Sequence, residues 1–478
     1  MRGRWAGVVL GAGVVAAGCA MGPEYKRPDT PAASQEKFRG QAAADAKSLA
    51  DLPFWEVFRD EALKGLIDEA LSKSPGVQVA AARVEQARAL ARADGWALWP
   101  GFSATANGGR QRAVQGPLGA LTFNAFGLGA AASWEIDLWG RLRRTQEASY
   151  QAFAASEEAR RGVTVALVGD VANAYFQLRA LDGQRAIAEQ RIAGRSRALQ
   201  LFQARLDKGT GSRAEVATAT AQVMDAQAQL ADIERRQRLT ENQLSVLTGS
   251  PPRQVPRGPA LQDQVMAPEV PAGLPSALLE RRPDLRAAEA QLHAETAKVG
   301  AAEANLFPKL SLTAALGLVS PSLEALVAGR EVTWSYGGAL GWLAPFLGRE
   351  QLLAAVDFQK GRTAEVTAQY FQAVLNALRE VDDALSALEL VGRQVTALEA
   401  QVKAVMEQRA LAESRYQSGV SSFLEVTIAE EAVLPSQLAL ESARAARLSA
   451  LVSLYRALGG GWKTPETAAT AATKDEPR

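Results

Sequence analysis

Arg205–Gln222 reads RLDKGTGSRAEVATATAQ, and Arg415–Ala432 reads RYQSGVSSFLEVTIAEEA. Both run Arg, three residues, Gly, then Ser three further on and a Glu-Val pair three after that. Gly209, Ser212, Glu215 and Val216 match Gly419, Ser422, Glu425 and Val426 at a constant offset of 210. A glycine after a helical stretch admits the left-handed residue that ends a helix, and a glutamate in the turn that follows favours a new helix N-terminus through the macrodipole. Each stretch therefore predicts a sharp helical hairpin, and Gly211 loosens the first turn further. The same chain makes the same turn twice.

The repetition extends outward from these turns. Pro75 matches Pro283, Pro100 matches Pro308, Trp134 matches Trp342, and Gly140-Arg141 matches Gly348-Arg349, all at an offset of 208. The chain is an internal duplication whose halves differ by two residues before the turns. SPPRQVPRGPALQDQVMAPEVPAGLP joins the copies. The expected layout is a signal segment over 1–18, an N-terminal tether and equatorial segment over 19–74, and a first repeat over 75–249. A Pro-rich connector over 250–282, a second repeat over 283–459 and a tail over 460–478 follow.

Each half has the same order of periodicities. Stretches starting at Pro75 and Pro283 are rich in Ala, Glu, Gln and Arg, and open with a proline suited to a first helical turn. The period then falls to two. In NAFGLGAAASWEIDL the even positions are Phe126, Leu128, Ala130, Ala132, Trp134, Ile136 and Leu138, whereas the odd ones are small or polar. Leu310, Leu312, Ala314, Leu316 and Leu318 repeat this alternation in the second half, as do Trp334, Tyr336, Leu340 and Trp342. A strand from Phe102 to about Arg110 carries the weakest alternation. These strands fit an ordinary half-buried sheet, but their length and their aromatics Trp134, Trp334 and Trp342 favour a membrane with aromatic belts at its interfaces. One hairpin per half gives four strands, which cannot close a barrel, and open edges in hydrocarbon would cost several kcal/mol per unpaired group. The barrel must be shared between subunits.

A long helix follows each β-hairpin. No proline lies between Pro117 and Pro251 or between Pro345 and Pro435. A helix from about Arg141 to Arg205 would be about 95 Å long at 1.5 Å per residue. Leu167, Val171, Ala174, Leu178, Leu181, Ala188, Ile192, Leu199, Phe202 and Leu206 follow alternating steps of four and three, with Arg185 and Arg195 as exceptions. Val374, Leu378, Val381, Leu385, Leu388, Val395, Val402 and Met406 do the same around Gly392 and Glu399. Sustained heptads imply coiled-coil packing. A partner helix of roughly 40 residues returns from each tip.

Composition excludes several classes. With 47% apolar and 22% charged residues, the 478-residue chain is globular and too long for one ordinary core. Its 53 Lys and Arg against 52 Asp and Glu leave a net charge of +1, so no global field recruits nucleic acid. The single histidine, His293, is expected on a solvated helix surface one turn after Glu289. Glutamates read as i,i+4 helix pairs. Phosphate loops, metal clusters and nucleophile motifs are absent from the sequence, so no enzyme, cofactor or metal is expected.

The single cysteine, Cys19, ends MRGRWAGVVLGAGVVAAGC. Arg2 and Arg4 make a positive start, Trp5–Ala17 an apolar run too short to span a bilayer, and Ala16, Ala17 and Gly18 a cleavage site. Cleavage before a cysteine resembles bacterial lipoprotein processing, with Ala16 where Leu is commoner. That resemblance implies acylation of Cys19, and Ala20 after it permits sorting to the outer membrane.

GCAMGPEYKRP (18–28), WEIDLWGRLRR (134–144), WLAPFLGRE (342–350) and the two tip segments together resemble the outer membrane factor family in its lipoprotein branch. The resemblance covers essentially the whole mature chain. It implies an α+β membrane protein: a homotrimer sharing a 12-stranded transmembrane β-barrel, continued by a periplasmic α-helical coiled-coil barrel. It also implies a passive efflux channel working with a periplasmic adaptor and an inner-membrane pump, lipid-anchored in the outer membrane. Protein secretion through the same architecture, or a structural coiled-coil lipoprotein without a pore, are the alternatives. By the same resemblance the periplasmic gate comprises Glu215 and Glu425, each six residues after its tip glycine, with Arg415, Tyr416 and, in the first hairpin, Arg205. Two positions depart from the family pattern: Ile428, where a second gate acid is common, and Leu347.

Overall fold

The computed structural model describes residues 20–30, 32, 37–38, 54–114, 120–264, 275–329, 332–341 and 348–460. Cys19, Trp342, Leu347, part of the connector and the C-terminal tail lie outside them. The chain forms two compact units. One comprises the residues up to Pro28 with Ala82–Glu157 and Ala287–Phe371; the other comprises Asp29–Ala81, Glu158–Arg286 and Gln372–Arg478.

The first unit holds a four-stranded antiparallel sheet, β1 (Gly101–Val114), β2 (Ala120–Ile136), β3 (Lys309–Ser320) and β4 (Val332–Gly341), in the order β1-β2-β3-β4. The register joins equal parities. Leu128 faces Leu318, Ala130 faces Leu316 and Trp134 faces Leu312, and across the next pair Leu316 faces Trp334 and Leu310 faces Leu340. A continuous apolar face results, backed by Thr105, Gly129, Ser133, Thr313, Gly317 and Ser335 on the other. Every residue of β4 is exposed in the single chain. Within it, β1 and β4 are edges, the sites where copies of the chain must pair. β1 runs four residues beyond the expected Arg110. There Arg110 and Arg112 keep the parity of the apolar face opposite Asn124 and Thr122, so pairing outlasts the hydropathy signal.

α3 (Pro75–Trp96) and α7 (Pro283–Ala304) precede the two β-hairpins, each with proline at its first position. α4 (Arg141–Asp207, 67 residues) returns as α5 (Arg213–Leu247), and α9 (Arg349–Gln417, 69 residues) returns as α10 (Phe423–Ala457); both return helices have 35 residues, shorter than the expected 40. The predicted seams are present: Leu181 and Ala188 pack on Ile233, and Val395 packs on Leu440 and Ala443. Pro435 lies inside α10 at an exposed position, so an exposed carbonyl loses its donor to water without breaking the helix.

The β2–α4 junction explains WEIDLWGRLRR. Asp137 accepts from the backbone N–H groups of Leu142 and Arg143 at 3.0 and 2.9 Å, satisfying donors of the first helical turn. Glu135 takes Arg141 in a two-point contact at 2.9 and 2.7 Å. Gly140 has φ +78°, and a Cβ there would sit 2.9 Å from the Ala20 backbone. The residue after Cys19 thus rests on the Gly-Arg pair of the first repeat.

Among the described residues three helices are short: α1 (Phe54–Phe58), α6 (Leu278–Arg281) and, between β3 and β4, α8 (Leu323–Val327). In the second unit, α2 (Glu61–Lys73) buries Leu63, Leu66, Ile67 and Ala70. Asp60 caps it by accepting from Ala62 and Leu63, and also accepts from the Tyr175 hydroxyl at 2.8 Å and from Gln264 at 2.7 Å. Tyr175 in turn accepts from the Gly258 N–H at 2.9 Å, which ties the Pro-rich connector to α4. Burial and the adjacent Asp60 push the Tyr175 hydroxyl above its usual range. Arg282, buried, donates to the Ala457 carbonyl at 3.0 Å and pairs with Asp284 and Glu380.

Candidate gate at the paired hairpin tips

Both tips close by the same backbone device. Gly209 and Gly419 each have φ +73°. The Gly209 N–H bonds to the Leu206 carbonyl at 2.9 Å and the Thr210 N–H to that of Arg205 at 3.0 Å; Gly419 to Tyr416 and Val420 to Arg415 repeat this at 2.9 Å each. This nested pair is the Schellman motif with glycine at the left-handed position. Gly211 has a different cause, since a Cβ there would lie 2.7 Å from the Leu206 nitrogen.

The restarts differ. Ser212 accepts from Ala214 at 3.1 Å, while Glu215 reaches back to the Ser212 N–H at 2.9 Å, forming a capping box. Ser422 makes no side-chain cap bond, and Glu425 instead stands 3.9 Å from Arg415 across its own hairpin. Equivalent acids thus serve different partners: Glu215 is held by its own helix end, and Glu425 faces the opposite helix.

Between hairpins, Arg205 Nη1 donates to the Tyr416 hydroxyl at 2.7 Å, and the guanidinium carbon of Arg205 lies 5.8 Å from the centre of the Tyr416 ring. Below this pair Phe202, 1% exposed, packs edge-on to Phe423 at 4.6 Å, and Tyr416 contacts Phe423 at 5.5 Å. Ala412, Val426 and Ala429 complete the small core. Arg205, Arg415, Tyr416 and Glu425 therefore gather at one place, whereas Glu215 turns away. Phe423 was not singled out by sequence reasoning, because its counterpart in the first hairpin is the exposed Arg213 and the repeat carries no apolar signal there. Ile428 is exposed, as are Val420 and Leu424.

Trp134 is partly exposed and donates to the Leu98 carbonyl at 3.0 Å; Trp334 is exposed and stacks on Tyr336 with ring centres 5.8 Å apart. Trp96, Trp99 and Phe102 are further exposed aromatics around the start of β1 that the alternation did not single out.

His293 departs from expectation. It is not on a solvated surface: its ring stacks on Tyr25 at 4.4 Å, and its Nε2 is 2.9 Å from Glu147, which also receives Arg144 at 2.8 Å. Glu289, the neighbour expected from spacing, instead takes Arg27 at 2.7 Å and the Tyr25 hydroxyl at 3.1 Å. The segment after Cys19 thus occupies the surface that the helix pattern left open. Among the described residues no group of three or more His, Cys, Asp or Glu is placed to hold a metal. No helix among them is long and apolar enough to cross a membrane.

A family model described as outer membrane efflux protein matches residues 66–250 and again 274–460. The toluene efflux pump outer membrane protein TtgI of Pseudomonas putida is 34% identical over 459 residues, 94% of this chain and 97% of that protein. Outer membrane protein OprJ of Pseudomonas aeruginosa is 32% identical, covering 93% of each. The open state of the MtrE outer membrane channel of Neisseria gonorrhoeae superposes with a TM-score of 0.84 at 31% identity, over 93% of this chain and 99% of that one. The double match follows the internal duplication, and the four strands are one subunit's third of a trimeric barrel of 12. The chain belongs to the outer membrane efflux protein family, as one subunit of an outer-membrane efflux channel with a shared β-barrel and a periplasmic helical barrel.

Proposed function

We propose that the homotrimer is the outer-membrane conduit of a tripartite efflux system. It receives small toxic organic compounds from a periplasmic adaptor and inner-membrane pump and passes them outward through a water-filled lumen without chemistry. The observation that carries this reading is the meeting of the two hairpin tips at Arg205 and Tyr416, a polar latch where a conduit must be shut at rest. Relatives named for toluene, solvent and antibiotic efflux support the substrate class. Arg205, Arg415, Tyr416 and Glu425 form the periplasmic gate, with Gly209, Gly211 and Gly419 shaping its turns. Glu215 contributes by fixing the first tip. Trp134, Trp334 and Trp342 sit at the membrane interfaces.

The six-part layout read from the sequence, with signal peptide, tether, two repeats, connector and tail, fits this role. Cys19 is the acylated first residue of the mature chain. One acyl chain binds membranes only marginally, but several chains together with a barrel anchor irreversibly. The seating of Ala20–Pro28 along the first unit, through Tyr25, Arg27 and Arg144, supports an anchor of fixed position.

Purified protein in planar bilayers should conduct as a threefold complex by native mass spectrometry, and its loss should sensitise cells to organic solvents or antibiotics. A stable monomer, or a trimer without conductance, would leave only a structural lipoprotein. Mass spectrometry of the mature N-terminus should find acylated Cys19, and Cys19→Ser should abolish lipid labelling; an unmodified cysteine ends the lipoprotein reading.

A further inference from the structure

Arg195 occupies a core step of the α4 heptad series, between Ile192 and Leu199, yet it is 6% exposed. Its Nη1 donates to the Gln222 carbonyl at 2.8 Å, and the Asp225 carboxylate paired with it stands at 3.8 Å. A guanidinium taken out of water is costly unless ion pairs and hydrogen bonds satisfy it. One carbonyl and a carboxylate beyond hydrogen-bond reach leave Arg195 under-compensated.

It is not alone. Arg191, one turn earlier on α4, donates to the Gln229 side chain at 3.2 Å. Burial and the charge of Arg195 push Arg191 below the ordinary arginine value, with Asp225, Glu430 and Glu431 opposing. Arg409 arrives from α9 of the other hairpin, its Nε 3.6 Å from Glu430 and without a hydrogen-bond partner. These three guanidiniums and Glu430 line a cavity of about 130 Å³ between the hairpins. A Cβ on Gly194 in its wall would meet nothing within 4 Å, so the space is open there. One water needs roughly 10–15 Å³ of such volume, so the cavity admits a group several times larger. Guanidiniums present planar forks of donors that match the oxygens of phosphate, sulfate or carboxylate.

We infer that this cavity is a binding site for a small free oxyanion of the phosphate or sulfate class, held by Arg191, Arg195 and Arg409 and bridging the two hairpins. The anion supplies hydrogen-bond acceptors that the walls lack, above all for Arg409 Nε, and ties α4 to α9. This places a ligand-sensitive brace within the helical region, separate from the tip contacts, and accounts for an arginine at an apolar heptad position.

Inorganic phosphate is the probe. Titrated into the full-length detergent-solubilised trimer, with sodium chloride holding ionic strength constant, it should bind saturably at one site per chain and raise the melting temperature. Arg409→Gln, at the accessible rim of the cavity, should weaken binding at least tenfold, and Arg191→Gln should do the same. Arg393→Gln, an exposed arginine paired with Glu389, should leave binding unchanged. Absence of saturable phosphate binding in the wild type would overturn the proposal, as would binding that both cavity substitutions leave intact. A purely structural role for Arg195 would give melting temperatures that respond to substitution but not to phosphate.

Discussion

Arg205 and Tyr416 are 211 positions apart and belong to different halves of the duplication, yet the Arg205 guanidinium donates to the Tyr416 hydroxyl at 2.7 Å. Duplication alone would give each hairpin the same internal contacts. The cross-repeat bond exists because Tyr416 has Leu206 as its counterpart: one repeat supplies the apolar side chain and the other a hydroxyl. Tyr416→Phe removes only that oxygen and keeps the ring against Phe423. A hydrogen bond of this kind is worth about 0.5–1.5 kcal/mol, near the lower end when exposed. Repeated three times, its loss should raise the open probability of the resting channel several-fold in single-channel recordings. Unchanged opening would exclude this bond from the gate.

Glu215 and Glu425 should separate in experiment although their positions are equivalent. Glu215→Gln weakens the charge-assisted return to the Ser212 N–H, and Ser212→Ala removes the other half of the box, costing about 0.5–2 kcal/mol locally. Faster amide exchange over 213–216 is the expected readout, with conductance nearly unchanged. Glu425→Gln weakens an exposed pair worth about 0–1 kcal/mol per subunit. Here the expected change is in conductance, strongest when combined with Arg415→Ala and Tyr416→Ala, with the trimer intact. If Glu215→Gln opens the channel as much as Glu425→Gln, the capping assignment does not explain its role.

Most of the architecture was legible in the residues, because period two, heptad steps and glycine placement act locally. Leu316 facing Trp334, and Leu181 and Ala188 packing on Ile233, follow from patterns that any reader of the chain can count. What stayed hidden depends on choices among partners. Glu215 had two possible acceptor roles, and only geometry shows the capping box. His293 looked solvated because the helix pattern reveals nothing of a segment over 260 positions away, where Tyr25 covers it. Arg195 broke the heptad, but the sequence does not show that Arg409 would meet it across a cavity.

Acid should loosen the helical region through its paired carboxylates. Burial raises the pKa of Glu147, but Arg144 and His293 more than offset this and hold it below the ordinary 4.5. Glu295, with Lys298 and Gln359, and Glu69, with Lys73, Arg253 and Ser250, are likewise depressed against the opposing effect of burial. A carboxylate held low binds its proton less readily folded than unfolded, so its contribution is present above pH 4.5 and fades as pH falls through the folded value. The melting temperature of the solubilised trimer should therefore drop below about pH 4.5. Glu147→Gln should lower it at pH 7 and flatten the acid limb. An acid limb of the same steepness in Glu147→Gln would assign the effect to other groups.

The sheet offers a test of parity. Leu316 lies on the apolar face between Ala130 and Trp334, whereas Thr313 lies on the opposite face between Ser133 and Gly337. If the apolar face meets lipid, an arginine there costs about 2–4 kcal/mol near the bilayer midplane, while one on the lumen face is solvated. Leu316→Arg should sharply reduce heat-resistant trimer in outer-membrane fractions. Thr313→Arg should assemble at near wild-type yield and shift the reversal potential toward anions, because three added charges line the lumen. Only Ala314 and Ala315 lie between the two positions, so a general intolerance of charge in β3 would affect both alike, whereas opposite outcomes require the alternation that the register shows. Equal loss of trimer in both variants would show no difference between the two faces, and the assignment of one to lipid and the other to the lumen would have to be abandoned.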